Sequence, residues 1–187
     1  MFPTPFRVVV DANVLYPFTL RDTILRAAAR GFFQIYWSEQ ILEETRRNLV
    51  ANGAATEEQA AYLLATMRRA FPEATVRGYE ALIDGMPNDP KDRHVAAAAV
   101  KAGAQLVVTN NLKDFASLPE GLEAQSPDAF LESLFDLDHD AMVEAITEQA
   151  AALKNPKRTV DEILTALAKE VPEFAKAVRA HLANSSS

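Results

Sequence analysis

The sequence predicts an α/β fold built on a parallel sheet, followed by a helical C-terminal extension. Short β-branched or aromatic runs alternate with amphipathic segments of helical length over the first two-thirds of the chain. From about Ser126 the strand signals stop while helical apolar spacing continues. Capping residues punctuate both regions, so each helix start carries its own local signature.

Arg7-Val-Val-Val-Asp11 is a β-branched run ending in an acid, as expected of a strand covered on both faces of a parallel sheet. Leu20 to Arg30 reads as a helix with Ile24, Ala27 and Ala28 on one side and Gly31 at its C-terminal cap. The aromatic stretch 32–37 is the second strand, and Ser38 is placed to cap a helix turning Ile41, Leu42, Thr45 and Leu49 inward. Thr56 with Gln59 forms a capping box, and that helix must stop before Pro72. A weak strand is expected at 75–77. Asp89-Pro90 then opens one helix running to Ala102, closed by Gly103 ahead of a strand at 105–108. In the extension, helical spacing covers 130–135, 142–153, 163–167 and 174–182, with a capping box at Thr159 and Glu162 and a break at Asn155-Pro156. Residues 185–187 are expected to fray. The boundary between an α/β domain and the extension is set at residues 130 and 131.

Composition narrows the chemistry. The chain has no cysteine, which excludes disulfides and thiolate zinc sites, and His94, His139 and His181 are too scattered to make a ligand motif. The N-terminus has no basic start or long apolar run, and the longest later apolar stretch, 95–100, is far short of a membrane span. A cytoplasmic protein with no membrane partner is the expectation. Net charge is −7, with 13 basic against 16 acidic residues up to position 130 and 6 against 10 beyond it. Neither part is a basic module of the kind that coats nucleic acid.

Candidate chemistry follows from topology. In an open parallel sheet, strand C-termini and the N-termini of the following helices share the edge where ligands bind. Four segments send acids toward it: Asp11 with Asn13, Glu44, Asp89 with Asp92, and Thr109-Asn110-Asn111 with Asp114. Crowded carboxylates repel one another, and hard divalent cations with oxygen ligands relieve that repulsion, so the cluster reads as a Mg²⁺ or Mn²⁺ site suited to phosphodiester hydrolysis. Asp89 has a sufficient explanation as a helix cap. Glu43 and Glu44 compete on one helix, and Glu44 lies nearer the edge of the apolar stripe. Asp136, Asp138 and Asp140 fall between helices or on polar faces and are not counted as ligands.

Val8-Val-Val-Asp-Ala-Asn-Val-Leu15, Ser38-Glu-Gln-Ile-Leu-Glu-Glu44, Asp92-Arg-His-Val-Ala-Ala-Ala98 and Val108-Thr-Asn-Asn-Leu-Lys-Asp-Phe115 together resemble a PIN domain of the VapC toxin kind, in the family's order and over residues 7–130. The resemblance implies a three-layer α/β/α sandwich, RNA cleavage with divalent metal, dimers, and a cognate antitoxin. It makes Asp11, Glu44 and Asp92 metal ligands and catalytic residues, with Asn13 and Thr109 in support. The fourth position is divided: many relatives carry an acid where this chain has Asn111, others in the Asp-Phe pair that is here Asp114-Phe115. Charge favours Asp114, with Asn111 in support.

Two alternatives are weighed. A catalytically weakened PIN module that only binds RNA or antitoxin would follow from a missing fourth acid. A phosphatase of the haloacid dehalogenase type needs a second acid two residues after the first, where this chain has Asn13. His94 reads as a structural histidine. Arg46, Arg47, Arg68, Arg69, Lys91, Arg93 and Lys113 are candidate RNA-phosphate contacts, each more readily explained as a solvated helix residue.

Overall fold

The computed structural model describes residues 6–185. The contacts sort into two compact units, Met1–Tyr16 with Phe33–Gln125, and Pro17–Phe32 with Ser126–Ser187.

In the first unit, β1 (Arg7–Val10) runs into the short helix α1 (Ala12–Leu15). The next helix in the chain, α2 (Phe18–Ala29), belongs by its contacts to the second unit. β2 (Gln34–Ser38), α3 (Glu39–Ala51), α4 (Glu57–Ala70), β3 (Thr75–Val76), α5 (Arg93–Ala102), β4 (Leu106–Val108) and β5 (Glu123–Gln125) complete the first unit. The five strands are parallel in the order β3-β2-β1-β4-β5, with β1 central. Val8, Val9 and Val10 are all fully buried, as a strand covered on both faces requires. α5 packs along β1, β2 and β4, while α3 packs on β2 and α1, giving the three-layer α/β/α arrangement. Ile41, Leu42, Thr45 and Leu49 are the buried face of α3; the Thr45 hydroxyl is satisfied by donating to the Ile41 carbonyl at 2.9 Å.

The local signals act where the residues place them. Ser38 Oγ accepts from Ile41 N, and the Thr56/Gln59 and Thr159/Glu162 capping boxes are both complete. Gly103 ends α5 at φ 63°, a left-handed conformation that glycine adopts without strain. One expectation fails. The helix from Pro90 to Ala102 is broken: Pro90–Asp92 is a 3-10 turn and α5 starts at Arg93, because Asp89 caps only the turn and Asp92 leaves helical geometry at φ −106°, ψ 5°. The sequence also gave no signal for α1, for the 3-10 segments Glu80–Gly85 and Leu112–Phe115, or for β5, whose Glu-Ala-Gln carries no β-branched residue.

The second unit joins α2 to α6 (Pro127–Leu137), α7 (His139–Ala152), α8 (Val160–Leu167) and α9 (Pro172–Ser185). Ser185 is the last residue of α9; the remainder of the expected frayed end lies outside the described residues. Phe174, Leu131, Ile146, Leu164 and Met142 fill its core. Asp128 accepts from the Glu173 and Phe174 amides and so ties α6 to the start of α9. Among the described residues, no helix is long and apolar enough to cross a membrane.

Within this core α2 and α7 share a buried polar contact: Thr23 Oγ1 donates to Gln149 Oε1 at 2.8 Å, and Gln149 Nε2 donates to the Thr19 carbonyl at 3.0 Å. Both side chains are fully buried. Gln149→Leu should therefore lower unfolding free energy by about 1–3 kcal/mol through the loss of two buried hydrogen bonds, and since Thr23 Oγ1 keeps its bond to the Thr19 carbonyl at 3.0 Å, adding Thr23→Val should lower it further. Urea denaturation of the two variants checks this; additive losses would show that the contact carries no coupling.

Candidate active site

The site is built from the C-terminal edge of the sheet. Because Val10 pairs with Val108 across β1 and β4, the next residues, Asp11 and Thr109, emerge side by side. Thr109 Oγ1 donates to Asp11 Oδ2 at 2.7 Å, Asn13 Nδ2 donates to the same oxygen at 2.8 Å, and the Ala12 amide donates to Oδ1 at 2.7 Å. Asn13 is held in turn, its Oδ1 accepting from Asn110 N at 3.0 Å, and Asn111 N donates to Thr109 Oγ1 at 3.1 Å. Asn13 and Thr109 are thus orienting groups for Asp11. Burial pushes the Asp11 carboxyl above its ordinary value; the Thr109 and Ala12 bonds pull it down, and the charge of Glu44 pushes it up again.

Glu43 and Glu44 part company on α3. Glu43 is turned to solvent and clamped by Arg46, with contacts of 2.6 and 2.8 Å. Glu44 turns inward, its Oε1 lying 3.1 Å from His94 Nε2. The two atoms are close enough to pair as ions but not aligned as a hydrogen bond. Burial acts to raise the Glu44 carboxyl, but His94 and Gln40 outweigh it and hold the group below the usual range. His94 itself is only 3% exposed, inside the alanine-rich face of α5. The sequence reading missed this contact, and no local signal gives it, since it joins residues fifty positions apart on different helices.

Asp92 sits where the 3-10 turn meets α5 and caps nothing; its Oδ2 is buried without a partner. Burial first, then repulsion from Asp11 and Asp114, pushes its carboxyl up to about 6 against the pull of Lys91. Asp114 is 10% exposed and lies 2.9 Å from Lys91 Nζ, which holds its carboxyl below the ordinary value. Its backbone carbonyl accepts from Asp89 N at 3.0 Å, joining the 112–115 turn to the 90–92 turn, and buried Phe115 anchors that turn in the core. Asn111 is half-buried and makes no side-chain cap to the turn it precedes. Asn88, a second residue without a sequence signal, is 4% exposed and leaves both its amide nitrogen and its oxygen without hydrogen-bond partners.

Asp11, Glu44, Asp92 and Asp114 therefore occupy one electrostatic field, Asp11 coupled to Glu44 and to Asp92, and Asp92 to Asp114. Among the described residues, no three acidic or histidine side chains are already drawn in to the spacing that holds a metal ion. The donor chemistry nevertheless fits a hard cation: oxygen donors only, mutually repelling, with the buried Oδ2 of Asp92 left unpartnered and that of Asp114 facing the Lys91 ammonium.

The repulsion has a thermodynamic consequence. Asp92 has a folded-state value of about 6 against an ordinary 3.8, so the folded protein binds this proton more tightly than the unfolded chain. Its charge therefore destabilises the metal-free fold increasingly as pH rises from 3.8 through 6, and not at all well below 3.8. Asp92→Asn should melt above the parent chain in EDTA at neutral pH, with the gap closing on acidification. Thermal melts followed by circular dichroism at neutral pH and at about pH 4 test this; an unchanged or lowered neutral melting point contradicts it.

Residues 7–113 match the model of the PIN domain, and residues 127–180 match that of the VapC50 C-terminal domain. The PIN match takes in Asp11, Glu44 and Asp92 and stops one residue before Asp114. A curated relative, the putative ribonuclease VapC50 of Mycobacterium tuberculosis (strain ATCC 25618 / H37Rv), is 42% identical over 105 residues, covering 54% of this chain and 62% of that protein. The chain thus spans less than two-thirds of that relative's length. No solved structure matches the chain. The PIN model spans more than half of the sequence and takes in strands β1 to β4 with Asp11, Glu44 and Asp92: the chain belongs to the PIN domain family.

Proposed function

We propose that this chain is a metal-dependent endoribonuclease, acting as the toxin of a toxin–antitoxin pair. The observation that carries the reading is the set of four carboxylates at the edge of the sheet, one of them, Asp92, pushed to about 6 by its neighbours. The relative's printed name, ribonuclease, supports the reaction class. The substrate is RNA, the protein partner an antitoxin that covers the acidic edge, and the compartment the cytoplasm; self-association as a dimer accords with the same reading.

Asp11 is the most rigid of the four. Three donors occupy three of its roughly four lone-pair directions, which fixes the carboxylate and leaves one direction, on Oδ1, for a ligand. Glu44 is kept ionised and oriented by His94. Asp92 brings a buried oxygen with no partner, and Asp114 one that faces the Lys91 ammonium. Mg²⁺ or Mn²⁺ bound by these four would supply Lewis-acid polarisation of the phosphate and an acidified water. Asn13 and Thr109 hold Asp11 in place, and Asn111, through Thr109, steadies that bond. The phosphatase alternative is disfavoured because the Asn13 amide is spent on Asp11, Thr109 and the Asn110 backbone, leaving no acid at that position. The weakened-module alternative keeps one observation in its favour, the Lys91 ammonium beside Asp114 where a cation would otherwise balance charge.

Purified full-length chain given Mn²⁺ or Mg²⁺ should cut a mixed RNA pool and stop in EDTA. Asp11→Asn and Glu44→Gln should each cost more than the ~10–100-fold typical of losing a residue that only orients a metal ligand, the range expected for His94→Gln. Glu43→Gln should keep most activity, and Asp114→Asn should lose more than Asn111→Ala. RNA cleavage that persists in EDTA with Asp11→Asn would sink the proposal; full metal-responsive folding with no cleavage would select the weakened module.

A further inference from the structure

In the second unit, the loop between α7 and α8 carries Lys154, Lys157 and Arg158 with no acid between Glu148 and Asp161. Lys154 and Lys157 form an antiparallel bridge that pins the loop, so these cations are displayed from fixed backbone. Beside it lies an open cavity of ≈ 580 Å³ whose lining includes Arg158, Lys169, Asn155, Thr165 and Phe18. That volume lies within the ~300–1,000 Å³ of ordinary small-molecule sites and admits a nucleotide. Phe18 is 56% exposed, an unusual setting for a large aromatic side chain, and the Arg21 guanidinium sits 5.6 Å from its ring centroid.

Several cations of the first unit are already engaged. Arg46 is engaged by Glu43 and Glu57, Arg68 by Glu39, Lys91 by Asp114, and Arg93 by the Asn88 carbonyl. Among the described residues, Lys154, Lys157 and Lys169 form no ion pair. Glu162, the one acid among the described residues that lines the cavity, is spent on the Thr159 amide at 2.8 Å as a helix cap and on Arg158 at 3.5 Å. In a chain of net charge −7 this is a local excess of cations around an exposed aromatic ring. Free cations beside an aromatic face are what single-stranded nucleic acid requires, phosphates meeting the charges and a base meeting the ring.

We infer that this cavity, lined by Phe18, Arg158 and Lys169, together with the hollow that shares Leu153 and Arg158 with it and carries Lys154 and Lys157, binds a single-stranded segment of RNA, giving the chain an RNA-binding surface in addition to its carboxylate centre. The inference rests on the ribonuclease reading for the identity of the nucleic acid.

Binding of a fluorescein-labelled single-stranded RNA to the full-length Asp11→Asn chain, followed by anisotropy from roughly 50 to 250 mM KCl, tests it. With Lys154, Lys157, Arg158 and Lys169 all replaced by Gln, the slope of log affinity against log salt should fall by about 2–3, since each single-strand phosphate contact contributes about 0.7. Phe18→Leu should weaken binding about fivefold or more with the slope unchanged, because stacking releases no counterions. Lys176→Gln, which removes one charge from α9, should move the slope by less than one contact. A wild-type slope in the quadruple variant overturns the inference and leaves the patch to an acidic protein partner; wild-type affinity in Phe18→Leu overturns it by removing the base from the cavity. Cleavage by the unmodified chain is scored separately, so loss of the nuclease reading and loss of this surface are distinguishable.

Discussion

A carboxylate buried at the end of the central strand is the constraint on which the first unit depends. Asp11 is 4% exposed, and a charge in that position is tolerable only with donors around it. The parallel register supplies them: Val10 opposite Val108 brings the Thr109 hydroxyl to Asp11, and the turn into α1 brings the Ala12 amide and Asn13. A one-residue slip of β4 would remove the hydroxyl and reverse the faces of its valines, so packing and site geometry select the same register.

Much of this was legible in the sequence because it depends on local chemistry. Ser38, Thr56 and Thr159 start helices by bonding amides three residues ahead, and Gly103 ends one by taking a positive φ. What was not legible depends on residues distant in the chain. β5 exists because Leu106–Val108 offers it an edge, not because Glu-Ala-Gln favours strands. At the break before α5, a bond between distant residues ties the 112–115 turn to the 90–92 turn, the Asp114 carbonyl accepting from the Asp89 amide. The same break frees the Asp92 carboxylate from the capping role a continuous helix would have allowed it.

At the site, the sequence motifs point to four acids, while the inequality of their surroundings needs three dimensions. Composition treats them as alike. Their surroundings do not: Asp11 is saturated by neutral donors, Glu44 is held by an imidazole, Asp114 by an ammonium, and Asp92 by no hydrogen-bond partner at its buried Oδ2. His94 was read as a structural histidine because its neighbours in sequence are alanines. Those alanines are what let α5 pack closely against the sheet and bury the imidazole beside Glu44.

The differences also order how the four acids respond to a cation. The Lys91–Asp114 pair is solvated at the lysine end, where 62% of the side chain is exposed, and solvent screening weakens it there. Lys91 can therefore swing into solvent when another cation takes its place beside Asp114. The repulsion between Asp11 and Asp92 acts across a buried region and has no mobile counter-ion to relieve it, so it persists until a proton or a metal arrives. On the nuclease reading, Lys91 neutralises the more exposed side of the cluster while Asp11 and Asp92 retain an unmet demand for positive charge. On that reading metal affinity would derive from the buried pair, with Asp114 exchanging one cation for another.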